Sequence, residues 1–227
     1  PEPAQNPRSS ALRSDPIAST ARCAIMATMT AIRLDGELLA SNVKTDLRTR
    51  IAALKERGVT PGLGTILVGE DGPSAKYVAM KHRDAEELGL FSREAALGAD
   101  TTQAAVDAVV DEFNADSNVH AYIIQYPFPK GLDYESALIR VKPEKDADGL
   151  HPVNLGRLVQ GVEAPLACTP AGIQMMLERY DVPTVGRHVV IVGRGLTIGR
   201  PLASLLSLKR KNANAAVTVV HTGVGDI

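Results

Sequence analysis

Apolar residues along this chain recur with two different periods, and stretches of the two kinds alternate. Over residues 38–57 they stand three or four positions apart, and Gly58 follows, which predicts an amphipathic helix. The next stretch, 63–68, is short, largely apolar and β-branched, and it is closed by Gly69, which is typical of a buried strand. The two patterns therefore predict a helix followed by a strand.

The same alternation continues downstream. Pro73 suits the first turn of a helix and Gly89 suits the position just past one, so 73–88 is predicted to be helical. The further predicted strands are 91–97, 120–125, 188–192 and 217–221, and the further predicted helices are 101–114, 133–140, 170–180 and 202–208. For the helix at 170–180, Thr169 is the predicted N-cap and Pro170 the first helical residue.

Strands that alternate with helices indicate an α/β fold. They predict a mainly parallel sheet with helices on both faces. Ligands of such sheets collect beyond the carboxyl ends of the strands, so residues that directly follow a strand are candidates for function.

Composition narrows the class of protein. The 227 residues suffice for one large domain or two small ones, and 44% hydrophobic residues suffice for a real core. A net charge of −1 indicates no nucleic-acid or bilayer surface, and no apolar run approaches the length of about 18 residues that a membrane span needs. Cys23 and Cys168 lie far apart and form no metal or redox spacing, so a reducing compartment is expected.

The first 28 residues show no sustained period and are expected to be disordered, with ordered sequence beginning at Met29. Their arginines and serines could suggest a transit peptide, but Glu2, Asp15 and the missing amphipathic pattern argue against one. We therefore expect a cytoplasmic protein.

Three side chains of the helix at 73–88 carry polar groups that could take part in binding or catalysis. Ser74, Tyr77 and Lys81 stand three and four positions apart, which places them on one helical face near the end of a strand. A hydroxyl, a phenol and an amine can hold a flat polar substrate, and a partly buried lysine can move a proton near neutrality. The alternative is a solvated lysine with a tyrosine packed beside it.

Two further polar residues follow predicted strands or turns. Gln125 ends the strand at 120–125, where its amide could bind a substrate or the lysine, or merely satisfy loop backbone. Asp146 and Asp148 precede Gly149, so they could bind a metal or form a turn. A single carboxylate could also accept two hydrogen bonds from an aminopyrimidine edge.

A glycine-rich turn joins the strand at 188–192 to the helix at 202–208. Gly193, Gly195 and Gly199 form a pattern one residue longer than the common dinucleotide fingerprint, with a plain tight turn as the alternative. No acidic residue stands at the end of the next strand to bind a ribose 2′-hydroxyl, and Arg194 lies in the loop, so NADP is favoured over NAD.

From about Met29 to the end, several motifs of this chain resemble those of one family in their order and spacing. They are Pro73-Ser74 with Tyr77-Val78 and Lys81, Gln125-x-Pro-x-Pro, Lys145-Asp146-x-Asp148-Gly149, Asn154-x-Gly156-Arg157, Cys168-Thr169-Pro170, and Gly193-Arg194-Gly195 with Gly199-Arg200-Pro201. In this combination the chain resembles the bifunctional methylenetetrahydrofolate dehydrogenase/methenyltetrahydrofolate cyclohydrolase family.

The resemblance implies a fold and an activity. The expected fold is an N-terminal three-layer α/β folate-binding catalytic domain at 29–168 and an incomplete Rossmann-like NADP-binding domain at 169–227. The implied activity is oxidation of 5,10-methylenetetrahydrofolate with NADP, then hydrolysis to 10-formyltetrahydrofolate, in one-carbon metabolism and purine biosynthesis. The resemblance also implies a homodimer and no metal.

Site residues carry over position by position. Lys81 matches the family's catalytic lysine, Gln125 the glutamine that tunes it, and Tyr77 the tyrosine that packs on the folate. Asp148 matches the carboxylate that binds the pterin, and Ser74 a small polar residue of the same site. The implied cofactor-binding residues are Gly193, Arg194, Gly195, Gly199 and Thr222, of which Arg194 and Thr222 could contact the 2′-phosphate.

The chain also departs from the family pattern. Tyr126 and Phe128 stand where leucines are usual, which would reshape one wall of the folate pocket. The sequence ends at Ile227, after two apparent strands of the dinucleotide domain, so we expect an unfinished sheet edge and exposed apolar surface. Two alternatives follow: an inactive, truncated folate-binding remnant, and a shikimate-dehydrogenase-like NADP oxidoreductase, which would not require the Gln125 and Asp146–Gly149 motifs.

Overall fold

The computed structural model describes residues 31–225. The disorder expected at 1–28, the ordered start expected at Met29, and Cys23 lie outside the described residues. Within them, every helix is too short or too polar to cross a bilayer.

Helices and strands alternate along the chain, as the apolar pattern predicts. The strands are β1 Gly62–Val68, β2 Phe91–Leu97, β3 Ala121–Ile124, β4 His188–Val192 and β5 Ala216–Val220. The α-helices are α1 Gly36–Glu56, α2 Gly72–Leu88, α3 Gln103–Ala115, α4 Tyr134–Arg140, α5 Pro152–Gln160, α6 Cys168–Arg179 and α7 Gly199–Ser207. A short 3₁₀ helix spans Pro143–Lys145.

Helix α2 is delimited by the residue types that its sequence predicts. The Asp71 side chain caps its start by accepting a hydrogen bond from the Ser74 backbone N–H at 2.9 Å, and Pro73 lies in the first turn. Gly89 ends it in the left-handed conformation, with φ at 71°. The helix that carries Ser74 and Lys81 therefore begins and ends within a residue of the predicted positions.

The first sheet is parallel, with β1 between β2 and β3. Ile66 of β1 pairs with Ala95 on one side and Ile124 on the other, and the Gln125 N–H then donates to the Ile66 carbonyl at 2.8 Å. Because parallel strands end at one edge, Gln125 emerges at the edge of the sheet where α2 begins after β1.

The core under this sheet is apolar and closely packed. Its buried side chains include Ile66, Val68, Val106, Val110, Phe113, Tyr122 and Ile124. Phe113 and Tyr122 meet edge to face with ring centroids 5.4 Å apart, and the Tyr122 hydroxyl donates to the Asn114 side-chain oxygen at 2.8 Å. The buried phenol is therefore satisfied, and the sheet rests on a rigid support.

The second sheet pairs β4 with β5 in parallel, and α7 covers one of its faces. Ile191 packs with Leu202 and Leu206 on that side, whereas Val190 and Val192 are 53% and 72% exposed.

Two helices begin earlier than the sequence predicts, and one helix is not predicted at all. Helix α6 begins at Cys168 with Ala167 as N-cap, so the predicted cap at Thr169 is wrong. The Cys168 N–H donates to the Asp148 carbonyl at 3.3 Å, which anchors the helix earlier in the chain. Helix α7 begins at Gly199, three residues before the predicted start, because Pro201 is tolerated in a first turn. Helix α5 was not predicted.

Candidate active site

Lys81 and Gln125 are joined by a direct hydrogen bond. Lys81 Nζ donates to Gln125 Oε1 at 3.0 Å, and Gln125 Nε2 donates to the Tyr126 carbonyl at 2.8 Å. The second bond fixes which end of the amide faces the lysine. The arrangement supports the interpretation of Gln125 as a partner of Lys81, rather than as a residue that only satisfies loop backbone.

His82, the residue after Lys81, fastens this turn of α2 to the sheet. Its Nε2 lies 2.7 Å from the Thr65 hydroxyl of β1, and its Nδ1 contacts the Ser92 hydroxyl of β2. Lys81 is therefore held beside a rigid part of the molecule. Sequence reasoning missed His82, because its partners lie 10 and 17 positions away and have no local pattern.

Ser74 and Tyr77 take different positions on the same helix. Ser74 is buried, and its hydroxyl donates to the Tyr126 carbonyl at 3.4 Å, the same carbonyl that Gln125 contacts. Tyr77 is 57% exposed, one turn before Lys81. Ser74 therefore helps to hold the strand-end loop, whereas the Tyr77 ring is free to pack on a flat ligand.

Asp148 places a carboxylate in the neighbourhood of Lys81. Burial raises the pKa of Asp148, the positive charge of Lys81 opposes that rise, and the negative charge of Asp146 adds to it. Lys81 is thus close enough to Asp148 to act on it electrostatically. The structure brings Ser74, Lys81, Gln125 and Asp148 into one group.

Asp146 has a different task from Asp148. It is 3% exposed, and its carboxylate accepts hydrogen bonds from the backbone N–H groups of Gly149 at 3.0 Å and His151 at 2.8 Å, and from Asn154 Nδ2 at 2.9 Å. Its carboxylate therefore organises the loop at 146–151 that presents Asp148. Sequence reasoning left a metal site or a turn open here; the described residues contain no cluster of three His, Cys, Asp or Glu side chains suited to a metal.

Aromatic side chains form the wall next to Gln125. Tyr126 and Phe128, the two departures from leucine, each pack edge to face against Tyr134, with centroids 5.2 and 5.3 Å apart. Tyr126 and Tyr134 border a largely apolar cavity of about 660 Å³, which Leu196 and Thr197 of the glycine-rich turn also line. The strand-end loop of the first sheet and the glycine-rich turn of the second therefore border the same cavity.

The glycine-rich turn is shaped by close backbone contact. A Cβ at Gly199 would lie 2.2 Å from the Gly193 carbonyl oxygen, and Gly193 has φ at 129°, so both positions require glycine. Gly195 is not crowded, since its nearest neighbour, Thr197 Oγ1, lies 4.0 Å from the Cβ position. The turn leads into the start of α7, where helical N–H groups favour an anion.

Arg194 reaches from this turn to the end of β5. Its Nη1 lies 3.1 Å from His221 Nε2, and Thr222 is the next residue along the chain. The structure thus brings Gly193, Arg194 and Gly199 to the strand end that precedes Thr222. Sequence reasoning did not nominate His221, although its place directly after a strand was a usable signal.

Family models match most of the chain. The model described as tetrahydrofolate dehydrogenase/cyclohydrolase, catalytic domain, matches residues 34–148. The model described as tetrahydrofolate dehydrogenase/cyclohydrolase, NAD(P)-binding domain, matches residues 167–227. The chain belongs to the tetrahydrofolate dehydrogenase/cyclohydrolase family. The fold class expected from the sequence is confirmed, because the two parallel sheets lie in the segments that these two models match.

Members of this family are similar to this chain both in sequence and in structure. The chain is 53% identical over 199 residues to the bifunctional protein FolD of Syntrophotalea carbinolica, which covers 88% of this chain and 69% of that protein. It is 35% identical to the bifunctional FolD of Campylobacter jejuni, with a TM-score of 0.81 over 85% of this chain and 67% of that one.

A third member of the family was solved with ligands. The methylenetetrahydrofolate dehydrogenase-cyclohydrolase of Trypanosoma brucei, in complex with NADP cofactor and an inhibitor, is 35% identical, with a TM-score of 0.81 over 87% of this chain and 67% of that one. The chain thus spans about two thirds of the length of these relatives.

Proposed function

We propose that this chain oxidises 5,10-methylenetetrahydrofolate to the 5,10-methenyl form with NADP and hydrolyses that product to 10-formyltetrahydrofolate. The observation that carries the proposal is the Lys81–Gln125 hydrogen bond of 3.0 Å beside the half-buried Asp148. An amine, a fixed amide and a carboxylate are suited to binding a pterin and moving a proton next to it. The family matches supply the substrate class.

Lys81 has the role of proton carrier in the hydrolysis. Water that adds to the methenyl carbon loses a proton, and the subsequent ring opening needs one at nitrogen; Nζ of Lys81 can accept the first and supply the second. Gln125 Oε1 accepts a hydrogen bond from Nζ and so sets where the remaining N–H bonds point. Both residues are proposed as catalytic.

Asp148, Tyr77 and Ser74 are proposed to bind the folate. The Asp148 carboxylate accepts two parallel hydrogen bonds from the aminopyrimidine edge of the pterin. The exposed Tyr77 ring packs on the ligand and assists catalysis by positioning it, and Ser74 holds the Tyr126 carbonyl that also fixes Gln125. Hydride removal then depends on orientation, since no acid or base is needed at that step.

The second sheet is proposed to bind NADP. When bound, this cofactor supplies the hydride acceptor. The donor set fits a dinucleotide: Gly193, Gly195 and Gly199 lie in the turn before α7 and are proposed to admit the phosphates, and Arg194 and Thr222 are proposed to contact the 2′-phosphate. We assign the catalytic domain to 29–168 and the NADP-binding domain to 169–227.

The assembly and compartment are proposed from the same resemblance. We propose a homodimer in the cytoplasm that acts on tetrahydrofolate derivatives. The shikimate-dehydrogenase-like alternative gains no support, since the matched family models and relatives are folate enzymes.

The test is formation of the methenyl product, followed by its absorbance, from 5,10-methylenetetrahydrofolate and NADP. The unsubstituted chain should form product, and Asp148→Ala should lose at least about a hundredfold in kcat/KM because the pterin loses its bidentate acceptor. Lys76→Ala, which removes an exposed lysine from the same helix, is the matched control and should retain activity. Equal activity of Asp148→Ala and Lys76→Ala would refute the site assignment.

A further inference from the structure

His82 lies in the middle of the face of α2 that packs on the first sheet. Val78 and Ala85, four positions before it and three positions after it, are each only 1% exposed, so the three residues share one helical face. The His82 side chain itself is 17% exposed. A position in the middle of such a face usually carries an apolar residue, whereas this one carries an imidazole.

The imidazole makes directional contacts with two neighbouring strands. Its Nε2 lies 2.7 Å from the hydroxyl of the fully buried Thr65 in β1 and 3.4 Å from a Glu94 carboxylate oxygen in β2. Its Nδ1 contacts the Ser92 hydroxyl in β2. Because a hydroxyl can both donate and accept, both hydroxyl contacts persist whichever ring nitrogen carries the proton. Among residues 31–225, no other α2 side chain makes a polar contact with β1 or β2.

These contacts fix the rotation of α2 about its own axis. The packing of Val78 and Ala85 is apolar and has no direction, whereas hydrogen bonds weaken steeply when their geometry changes. Side-chain ends lie roughly 5–6 Å from a helix axis, so a rotation of about 20° moves one of them by about 2 Å. Such a shift would break the 3.0 Å hydrogen bond from Lys81, the residue before His82, to Gln125.

We propose that His82 is a positioning residue, which holds the Lys81 amine within hydrogen-bond distance of Gln125 by fixing this turn of α2 to both strands. The inference rests on the proposed function, which it deepens by adding a residue that acts on the rate of hydrolysis. Asp148, the residue proposed to bind the pterin, lies on the separate loop at 146–151. A change at His82 should therefore lower kcat and leave KM for the folate nearly unchanged.

Two substitutions separate positioning from packing. His82→Leu keeps an apolar side chain on the buried face and removes both hydroxyl contacts, whereas His82→Gln can still form a hydrogen bond with Thr65. His82→Leu should lower kcat for methenyltetrahydrofolate hydrolysis about tenfold or more, with KM within about twofold of the unsubstituted value, and His82→Gln should restore most of the rate. Arg83→Leu, at an exposed position on the same turn, is the matched control and should retain the rate.

Nuclear magnetic resonance of the same proteins gives a second measurement that needs no turnover. The side-chain amide signals of Gln125, assigned by their absence in Gln125→Ala, should shift in His82→Leu and stay in place in Arg83→Leu. Hydrolysis by His82→Leu at the unsubstituted rate, or Gln125 signals that do not move in this variant, would overturn the inference. Absence of hydrolysis in the unsubstituted chain would instead contradict the proposed function, and the Gln125 signals would then decide the role of His82.

Discussion

At the scale of single residues, the proposed pterin-binding carboxylate of Asp148 is buried at some cost to folding. Burial raises its pKa, so the ionised carboxylate is less favourable in the folded chain than in water, and the neighbouring Lys81 charge recovers only part of the loss. A carboxylate that must accept hydrogen bonds from a ligand cannot also be fully satisfied by the protein. Asp146 is the contrasting case, because its carboxylate accepts hydrogen bonds from three groups of the protein itself.

The raised pKa of Asp148 predicts a pH-dependent effect of Asp148→Asn on stability. A group whose pKa is raised by folding contributes stability below its unfolded pKa, and that contribution is lost as pH rises through the folded pKa. The Asn variant lacks this loss. The difference in thermal midpoint, Asp148→Asn minus the unsubstituted chain, should therefore increase as pH increases from about 3 to about 7.

Thermal unfolding at several pH values measures this difference. Asp46→Asn, on the exposed side of α1, serves as the control and should show a constant offset. An Asp148→Asn midpoint difference that stays constant or falls between about pH 3 and about pH 7 would contradict the account of burial given above.

At the scale of elements, the loop at 146–151 depends on one buried carboxylate. Asp146→Ala leaves the Gly149 and His151 N–H groups and the Asn154 amide without their acceptor. We expect a loss of about 3 kcal/mol in the free energy of unfolding, because each unsatisfied buried donor costs about 1 kcal/mol or more. Urea denaturation measures it.

The same substitution should weaken folate binding, since Asp148 lies on that loop. The conservative Asp146→Asn variant retains one side-chain oxygen and should lose less stability than Asp146→Ala. Equal stability of the Ala variant and the unsubstituted chain would show that water replaces the carboxylate and that the loop does not depend on it.

Local sequence signals predicted most elements but few of the contacts between them. Strands β2 and β4 have their predicted bounds, and the ends of α2 follow from Pro73 and Gly89. Helix α5 was not predicted, because Gly156 lies in its interior and weakens the helical signal. Its position is fixed by the His151 side chain, which accepts from the Val153 N–H at 3.1 Å.

The sequence predicts those residues of the candidate site that lie in recognisable motifs. It does not predict the residues that are placed by contacts distant in sequence. Helical spacing, a strand end and a turn mark Lys81, Gln125 and Asp148 as candidates, and the family resemblance implies their roles. His82 contacts strands β1 and β2, and His221 contacts Arg194, 27 positions away. No pattern local to either histidine encodes those contacts, so the folded structure was needed to find them.

At the scale of the whole molecule, the groups proposed for the two reactions lie at different sheets. The group around Lys81 lies at the first sheet and the glycine-rich turn at the second. Under the proposed function, hydrolysis of the methenyl compound needs only the first sheet's group, whereas oxidation needs both. Changes in the turn should therefore separate the two activities.

Gly199→Ala is the substitution that tests this division. Its Cβ would lie 2.2 Å from the Gly193 carbonyl, so the turn must shift, and we expect dehydrogenase activity to fall at least about tenfold while hydrolysis stays near its original rate. Gly156→Ala, where no atom lies within 4 Å of the new Cβ, is the control and should leave both rates unchanged. A parallel loss of both activities in Gly199→Ala would contradict the division.

The central claim is that Lys81 and Gln125 act as one catalytic unit on a folate. The most direct measurement is the rate of methenyltetrahydrofolate hydrolysis, without NADP, in Lys81→Ala, Gln125→Ala and the double variant. We predict that Lys81→Ala loses about a hundredfold or more in rate, as expected for a lost general acid–base group, and that the double variant is hardly slower than Lys81→Ala. Hydrolysis by Lys81→Ala at the unsubstituted rate, or fully additive losses in the double variant, would contradict the claim.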